Sequence, residues 1–433
     1  MTLLAVRKGS GYLRTNVSFI IVINCLRILV DGAMPLIPRP YIKRMKYPVD
    51  LSLFNTKAHN PSYASVVRSL GDNSQSIVDF CIPCNPYFPT EAMFDSWAGE
   101  LEQILKYYPT DSATLGDSVA ELVNLDPASL VLGNGSTELL TFIDLLFVKE
   151  SLATPIPTFG RWTDQPQETG KKLHLFPLHG RNNFTFDPDA FIAFVHESQA
   201  RVAVICNPNN PTGGYLPRRE IIRMVQAFSH LDLVVIDESF IDFVEAEKEA
   251  SVAAFAATSD NVIVLKSLGK NFGLHGVRFG YTVSNPHLAG RLRLALPRWN
   301  VNSIAEKIIL SLKAHRTEYQ ESLAQIFLDR KMMFKSLSAL TQLKVFPSEA
   351  NFLLVRLPYG VSGEDCRNFL ISEHGVFIRE CGNKIGMSSQ FLRVVCRPQN
   401  EVKRLTDGLT AFLRSVSVPT EKHTDDYGLL SAS

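Results

Sequence analysis

Short runs rich in β-branched residues recur along the chain at 129–132, 202–206, 233–236 and 262–265. Helical patterns separate them, among them 218–228, which Pro217 precedes at a place where a first-turn proline is tolerated. Strands that alternate with helices predict a mostly parallel sheet covered on both faces. Ligands of such sheets collect at the carboxyl ends of the strands. The most distinctive residues fall there, in "CNPNNPTGG" (206–214), "LVVIDESFIDF" (233–243) and "VIVLKSLGKNFGLHGVRFGY" (262–281). A chain of 433 residues is long for one core, so two subdomains are expected.

The third run carries Lys270 in S-x-x-K, with Arg278 following in G-x-R-x-G-Y. A lysine amine can form an imine with an aldehyde cofactor, and a phosphate on that cofactor calls for hydroxyl and guanidinium donors such as Ser267 and Arg278. Upstream, "VLGNGSTELL" (131–140) places Gly133 and Gly135 after a strand and Ser136 and Thr137 at the start of an apolar helix. Free N–H groups and the positive dipole end at such a terminus suit a phosphate, although Ser and Thr are also ordinary helix caps.

Together, in this order and spacing, the three segments resemble pyridoxal-phosphate enzymes of the aspartate-aminotransferase fold. The resemblance implies an α/β architecture: a large domain on a mostly parallel seven-stranded sheet, and a smaller α+β C-terminal domain. It makes pyridoxal 5'-phosphate the cofactor. Lys270 would hold it and then move protons at the substrate's alpha carbon. Asp237 ends an apolar strand, and a buried carboxylate there would be compensated by a protonated pyridine nitrogen. Asn210 would donate to the phenolate oxygen, and Phe159 would stack on the ring, with Trp162 as a stand-in. A core aromatic is the plain alternative for Phe159.

Within the superfamily the chain looks most like the branch of histidinol-phosphate aminotransferase and threonine-phosphate decarboxylase, from about residue 53 to 413. The segments "LFNTKAHNPS", "DFCIPCNP", "KYYPTD", "DESFIDF" and "VFIRECGNKIG" lie nearest the decarboxylase. By this resemblance Arg393 should clamp the substrate carboxylate, Arg379 should meet a distal phosphate with His59 as helper, and Asn85 should lie near the substrate. Without it, Arg393 reads as a surface charge or ion-pair member. Tyr108 should reach the cofactor phosphate of a neighbouring subunit, giving a homodimer with shared active sites.

There are departures. Phe240 stands where a tyrosine is usual, and one hydrogen bond to the cofactor phenolate is missing; phenylalanine also occurs in the decarboxylase-like members. "NPS" (60–62) replaces a glycine pair, Lys384 replaces an aromatic residue, and His275 occupies a common proline position. The first functional expectation is an aminotransferase acting on a small amino acid or amine that carries a phosphate or phosphonate. The alternative is a decarboxylase of a phosphorylated hydroxy-amino acid. A pyridoxal-phosphate-binding regulator would need a DNA-binding helix-turn-helix, and residues 1–53 have neither the helical period nor the basic helix for one.

The expected layout is an extension and linker at 1–53, an N-terminal arm at 54–110, the large domain at 111–300, a connecting helix and small domain at 301–415, and a tail at 416–433. Residues 16–30 are apolar behind Arg7, Lys8 and Arg14, in the shape of a signal sequence. Asn24 and Arg27 interrupt the run, so a non-catalytic extension without stable membrane association is expected. Net charge of +1 gives no reason to invoke nucleic acid. Seven cysteines, an odd number, point to a reducing compartment, taken as the cytoplasm. Cys81 and Cys84 form C-x-x-C, but without a second pair no metal site is expected.

Overall fold

The computed structural model describes residues 46–55, 61–70 and 77–416. His59, Asn60, and most of the expected extension and tail lie outside the described residues. A short strand, β1 (Val78–Asp79), comes first. Seven strands then build the central sheet: β2 (Leu130–Gly133), β3 (Ser151–Ile156), β4 (Lys172–Pro177), β5 (Val202–Cys206), β6 (Leu233–Asp237), β7 (Val262–Ser267) and β8 (Gly280–Val283). Their order is β2-β8-β7-β6-β5-β3-β4. All pairings are parallel except those of β8, which runs antiparallel to both β2 and β7. The mostly parallel α/β sheet inferred from the apolar runs is therefore present, with run ends displaced by a residue or two.

Strand periodicity divides each inner strand between two apolar cores. Leu233 and Val235 of β6 enter the core on one face, Val234 and Ile236 that on the other. β5 and β7 divide in the same way, with Val204 and Ile263 against one core and Ile205 and Val264 against the other. Strands buried on both faces need apolar residues at every position, which is why these runs were continuous rather than alternating.

Two helices, Ser303–Leu312 and Arg316–Ser338, follow the sheet. The second has 23 residues and is about 35 Å long at 1.5 Å per residue. It leads into a second sheet of β9 (Lys344–Phe346), β10 (Phe352–Arg356), β12 (Arg379–Glu380) and β13 (Phe391–Val395), antiparallel in the order β12-β13-β10-β9. The intervening β11 (Val376–Phe377) pairs in parallel with β1, so an early segment is stitched to a late one. Among the described residues, no helix is long and apolar enough to cross a membrane.

Candidate active site

The carboxyl ends of β5, β6 and β7 meet in register, with Cys206 opposite Asp237 and Asp237 opposite Leu265. Asp237 is 4% exposed. Its Oδ2 accepts the indole N–H of Trp162 at 2.8 Å, and its Oδ1 accepts the Ser239 amide at 3.0 Å. These bonds satisfy both oxygens of a carboxylate that would be costly to bury alone. Glu238, the next residue, turns the other way. It pairs with Lys266 at 2.7 Å and accepts from Ser251 and Val252. The two adjacent acids thus face opposite ways, and Asp237 is the one whose charge acts on the Lys270 amine.

The same division separates two lysines. Lys266 is spent in the buried pair with Glu238. Lys270, on the short helix Leu268–Asn271 that follows β7, forms no hydrogen bond through its amine among the described residues. Its Nζ lies 4.9 Å from the centre of the Phe240 ring and 5.9 Å from that of Phe159. Burial lowers its pKa to about 8; nearby Asp237 opposes the shift, and the arginines 393 and 278 add to it. An amine with that pKa has a far larger neutral, nucleophilic fraction near neutral pH than an ordinary lysine.

The phosphate-binding candidates converge through the sheet ladder. Ser267 ends β7 opposite Gly280 of β8, and a side chain on Gly280 would strike the Ser136 amide. Ser267 therefore sits beside the N-terminus of the helix Ser136–Phe147. The first amides of a helix have no partner within it. Gly135, which precedes that helix, has φ 83° and ψ 158°, a region open in practice only to glycine, and a Cβ there would collide with Arg278 Nη2. Gly135, Ser136, Thr137, Ser267 and Arg278 thus form one cradle with free donors and net positive charge. The cradle, the unbonded amine of Lys270 and the buried Asp237 suit the phosphate, aldehyde and ring nitrogen of pyridoxal 5'-phosphate.

Asn210 is buried in the turn after β5. Its Oδ1 accepts from Arg393 Nη1 at 2.8 Å, which leaves its Nδ2 hydrogens as the donors. Arg393 Nη2 donates to the Cys81 carbonyl at 2.7 Å, while Nε has no partner. No carboxylate forms an ion pair with Arg393 among the described residues, and burial pulls its pKa below the ordinary arginine value. A buried guanidinium of this kind is a receptor for an anion. The surface-charge alternative for Arg393 does not hold at 7% exposure.

Arg379 and Arg393 are direct partners across β12 and β13. Asn383 accepts from Arg379 Nη2 at 2.6 Å. Both arginines line a cleft of about 260 Å³ together with Thr158, Phe159, Asn210 and Lys384. Lys384 Nζ donates to the Thr158 carbonyl at 2.9 Å.

Two placements differ from expectation. Asn85 is buried away from the cleft: its Nδ2 donates to the Asn271 carbonyl and to Ser322, and its Oδ1 accepts the Tyr87 amide. Every polar atom of that side chain is engaged, and its backbone N–H bonds the Lys270 carbonyl at 3.2 Å, so it braces the lysine turn instead of facing substrate. Trp162 does not stand in for Phe159; its ring is buried behind Asp237. A buried indole N–H requires an acceptor, and that requirement was the available sequence signal. Tyr108 is 84% exposed and packs on Trp299 at 5.3 Å. His275 donates from Nε2 to the Pro83 carbonyl at 3.1 Å, and burial lowers its pKa to about 4, so it is neutral. No cluster of three or more His, Cys, Asp or Glu suited to a metal occurs among the described residues.

The family described as aminotransferase class I and II matches residues 76–409. An L-serine phosphate decarboxylase of Campylobacter jejuni is 28% identical over 358 residues, covering 79% of this chain and 90% of the relative. A histidinol-phosphate aminotransferase of Thermoanaerobacter sp. is 30% identical over 313 residues, covering 71% and 84%. Among solved structures, a decarboxylase from Sulfurospirillum multivorans superposes with a TM-score of 0.71 at 28% identity, covering 78% of this chain and 95% of that one.

Proposed function

The chain belongs to the class I and II aminotransferases, and from that membership we propose that it decarboxylates a short phosphorylated amino acid of the phosphoserine or phosphothreonine type. Its cofactor is pyridoxal 5'-phosphate. The observation that carries the substrate reading is the direct pairing of Arg379 with Arg393. Residues opposite one another in an antiparallel pair have Cβ atoms about 4.5–5.5 Å apart, so the two guanidiniums can reach two anionic groups that lie close together on one small molecule. Two anionic groups a few bonds apart, an alpha-carboxylate and a phosphate, match that spacing. Histidinol phosphate has no carboxylate and fits it poorly. The carboxy-lyase reading draws support from relatives that match over most of their length, and from Phe240 at the position where the family usually has a tyrosine.

The bound cofactor supplies the electron sink for the charge left on the alpha carbon when one of its bonds breaks. Asp237, set by Trp162 and Ser239, would hold the ring nitrogen in its protonated form. Asn210, oriented by Arg393, would donate to the phenolate oxygen, and Phe159 and Phe240 would keep water from the ring. Arg393 and Arg379 fix the two ends of the substrate. When the bond from the alpha carbon to the carboxylate breaks and carbon dioxide leaves, the Lys270 ammonium gives its proton to that carbon.

Transamination is the second reading, favoured by the same Lys270 amine, whose pKa of about 8 suits removal of the alpha proton. Substrate pose separates the two. A single turnover with O-phosphoserine tests them: carbon dioxide with phosphoethanolamine supports the proposal, whereas a 2-oxo acid with an aminated cofactor replaces it with transamination.

We infer a homodimer as well. Tyr108 and Trp299 are exposed aromatic side chains that pack on one another at 5.3 Å, and an exposed pair of this kind suits an association surface. Light scattering on the purified protein tests this, and a monomer would refute it.

A further inference from the structure

Arg379 and Arg393 do not complete the positive charge of the cleft. Lys384 lies in the loop between β12 and β13 and lines the same wall. Backbone bonds from Lys384 N to the Cys381 carbonyl, and from Met387 N to the Lys384 carbonyl, hold this loop in a tight turn. Gly386 of the turn packs against Pro157, so the loop is seated on the segment that carries Thr158 and Phe159. The ammonium has one acceptor, the Thr158 carbonyl at 2.9 Å, and two further hydrogens. No ion pair joins it to a carboxylate among the described residues, and Asp164, the acid on the cleft wall, pairs with neither Lys384 nor Arg393. Burial lowers the Lys384 pKa to about 8, with the Cys381 thiol opposing the shift and Arg379 and Arg393 adding to it. Three cations, with Asp164 as an acid on the same wall, thus line a space of about 260 Å³.

Building on the substrate reading above, we propose that Lys384 is the third cationic ligand of the substrate's distal group and selects for a doubly charged head. Arg393 would meet the singly charged alpha-carboxylate, and Lys384 would join Arg379 at the phosphate or phosphonate, where each added cation attracts a dianion more strongly than a monoanion. A singly charged head, a carboxylate or sulfonate, gains about half as much from the Lys384 ammonium at the same distance. Lys384 therefore sets discrimination between heads of equal shape and unequal charge, a specificity role distinct from the chemistry at the alpha carbon.

The test uses the holoenzyme with two ligands that share a tetrahedral head on the same carbon frame: 2-amino-3-phosphonopropanoate, doubly charged above neutral pH, and cysteate, singly charged. Binding is read from the cofactor absorbance. Lys384→Met should weaken the phosphonate roughly tenfold or more, the usual scale for one charge-assisted hydrogen bond, and cysteate less than about threefold. Lys384→Arg should restore most of the phosphonate affinity. Equal losses for both ligands would reduce Lys384 to a brace on Thr158 and overturn the proposal, as would a Lys384→Met enzyme that keeps the wild-type preference. If the wild-type enzyme bound neither ligand, the substrate reading itself would fall and this inference with it, an outcome distinct from failure of the variant alone.

Discussion

The Nη1 of Arg393 donates to Oδ1 of Asn210 at 2.8 Å, across 183 positions of the chain. The bond joins the second sheet to the central one at the cleft. It also fixes which end of the Asn210 amide faces inward, so a residue suited to the substrate carboxylate presets a donor for the cofactor. On the proposed roles of the two residues, this bond would couple substrate capture to cofactor orientation.

Replacing Arg393 with lysine keeps the charge and loses the planar fork. The substitution should lower kcat/KM by roughly 10- to 100-fold, as expected for losing one or two bonds to a charged group, with most of the change in KM. Steady-state kinetics with a phosphorylated amino acid checks this. An unchanged KM would remove the carboxylate clamp from the site.

Trp162→Phe keeps an aromatic ring in the core but deletes the donor to Asp237 Oδ2. A charged carboxylate that loses a buried hydrogen bond costs about 1.5–3 kcal/mol. Cofactor release, followed by absorbance, should quicken by roughly tenfold or more while the circular dichroism spectrum stays native. Retention at the wild-type level would mean that Asp237 does not depend on the indole.

Gly135→Ala should strain the backbone by about 1–3 kcal/mol at this φ and ψ and push the Arg278 guanidinium from the phosphate cradle. Cofactor affinity should fall about tenfold or more in equilibrium titrations. Thermal unfolding of the apoprotein should change only by the strain. If affinity held while stability fell, Gly135 would serve the turn alone.

Lys270→Ala should abolish turnover and leave a folded protein, because the removed amine has no hydrogen bond to lose among the described residues. Near-native circular dichroism with no product is the expected result. Residual turnover near the wild-type rate would exclude Lys270 from the chemistry.

The Lys270 pKa of about 8 gives cofactor capture a definite pH dependence. Below that value the amine is mostly protonated and cannot attack an aldehyde, so the rate of reconstitution from apoprotein should rise with pH and level off above about 8. An ordinary solvated lysine would keep the rate climbing past pH 10. Stopped-flow absorbance across the range separates the two.

Four strands of the central sheet, β2, β5, β6 and β7, were legible in the linear order of residues, as was the identity of the cofactor; β3, β4 and β8 were not. β5, β6 and β7 are continuous apolar runs because both faces are covered, and the motif residues Asn210, Asp237, Lys270 and Arg278 sit at or just beyond strand ends, where local spacing alone puts them near a ligand. Three features depended on the folded chain. Of two lysines in "LKSLGK", Lys266 is consumed by Glu238, a choice made by which face each strand residue points to. Asn85 turned inward because its acceptors and donors, Asn271, Ser322 and Tyr87, come together only in the fold. Arg379 and Arg393 became neighbours, and Lys384 reached Thr158, through an antiparallel register and a loop seated on another sheet. Cofactor chemistry was legible because it is written in local motifs; the substrate end was not, since its geometry is set by contacts between residues distant in the chain, and periodicity carries no information about those.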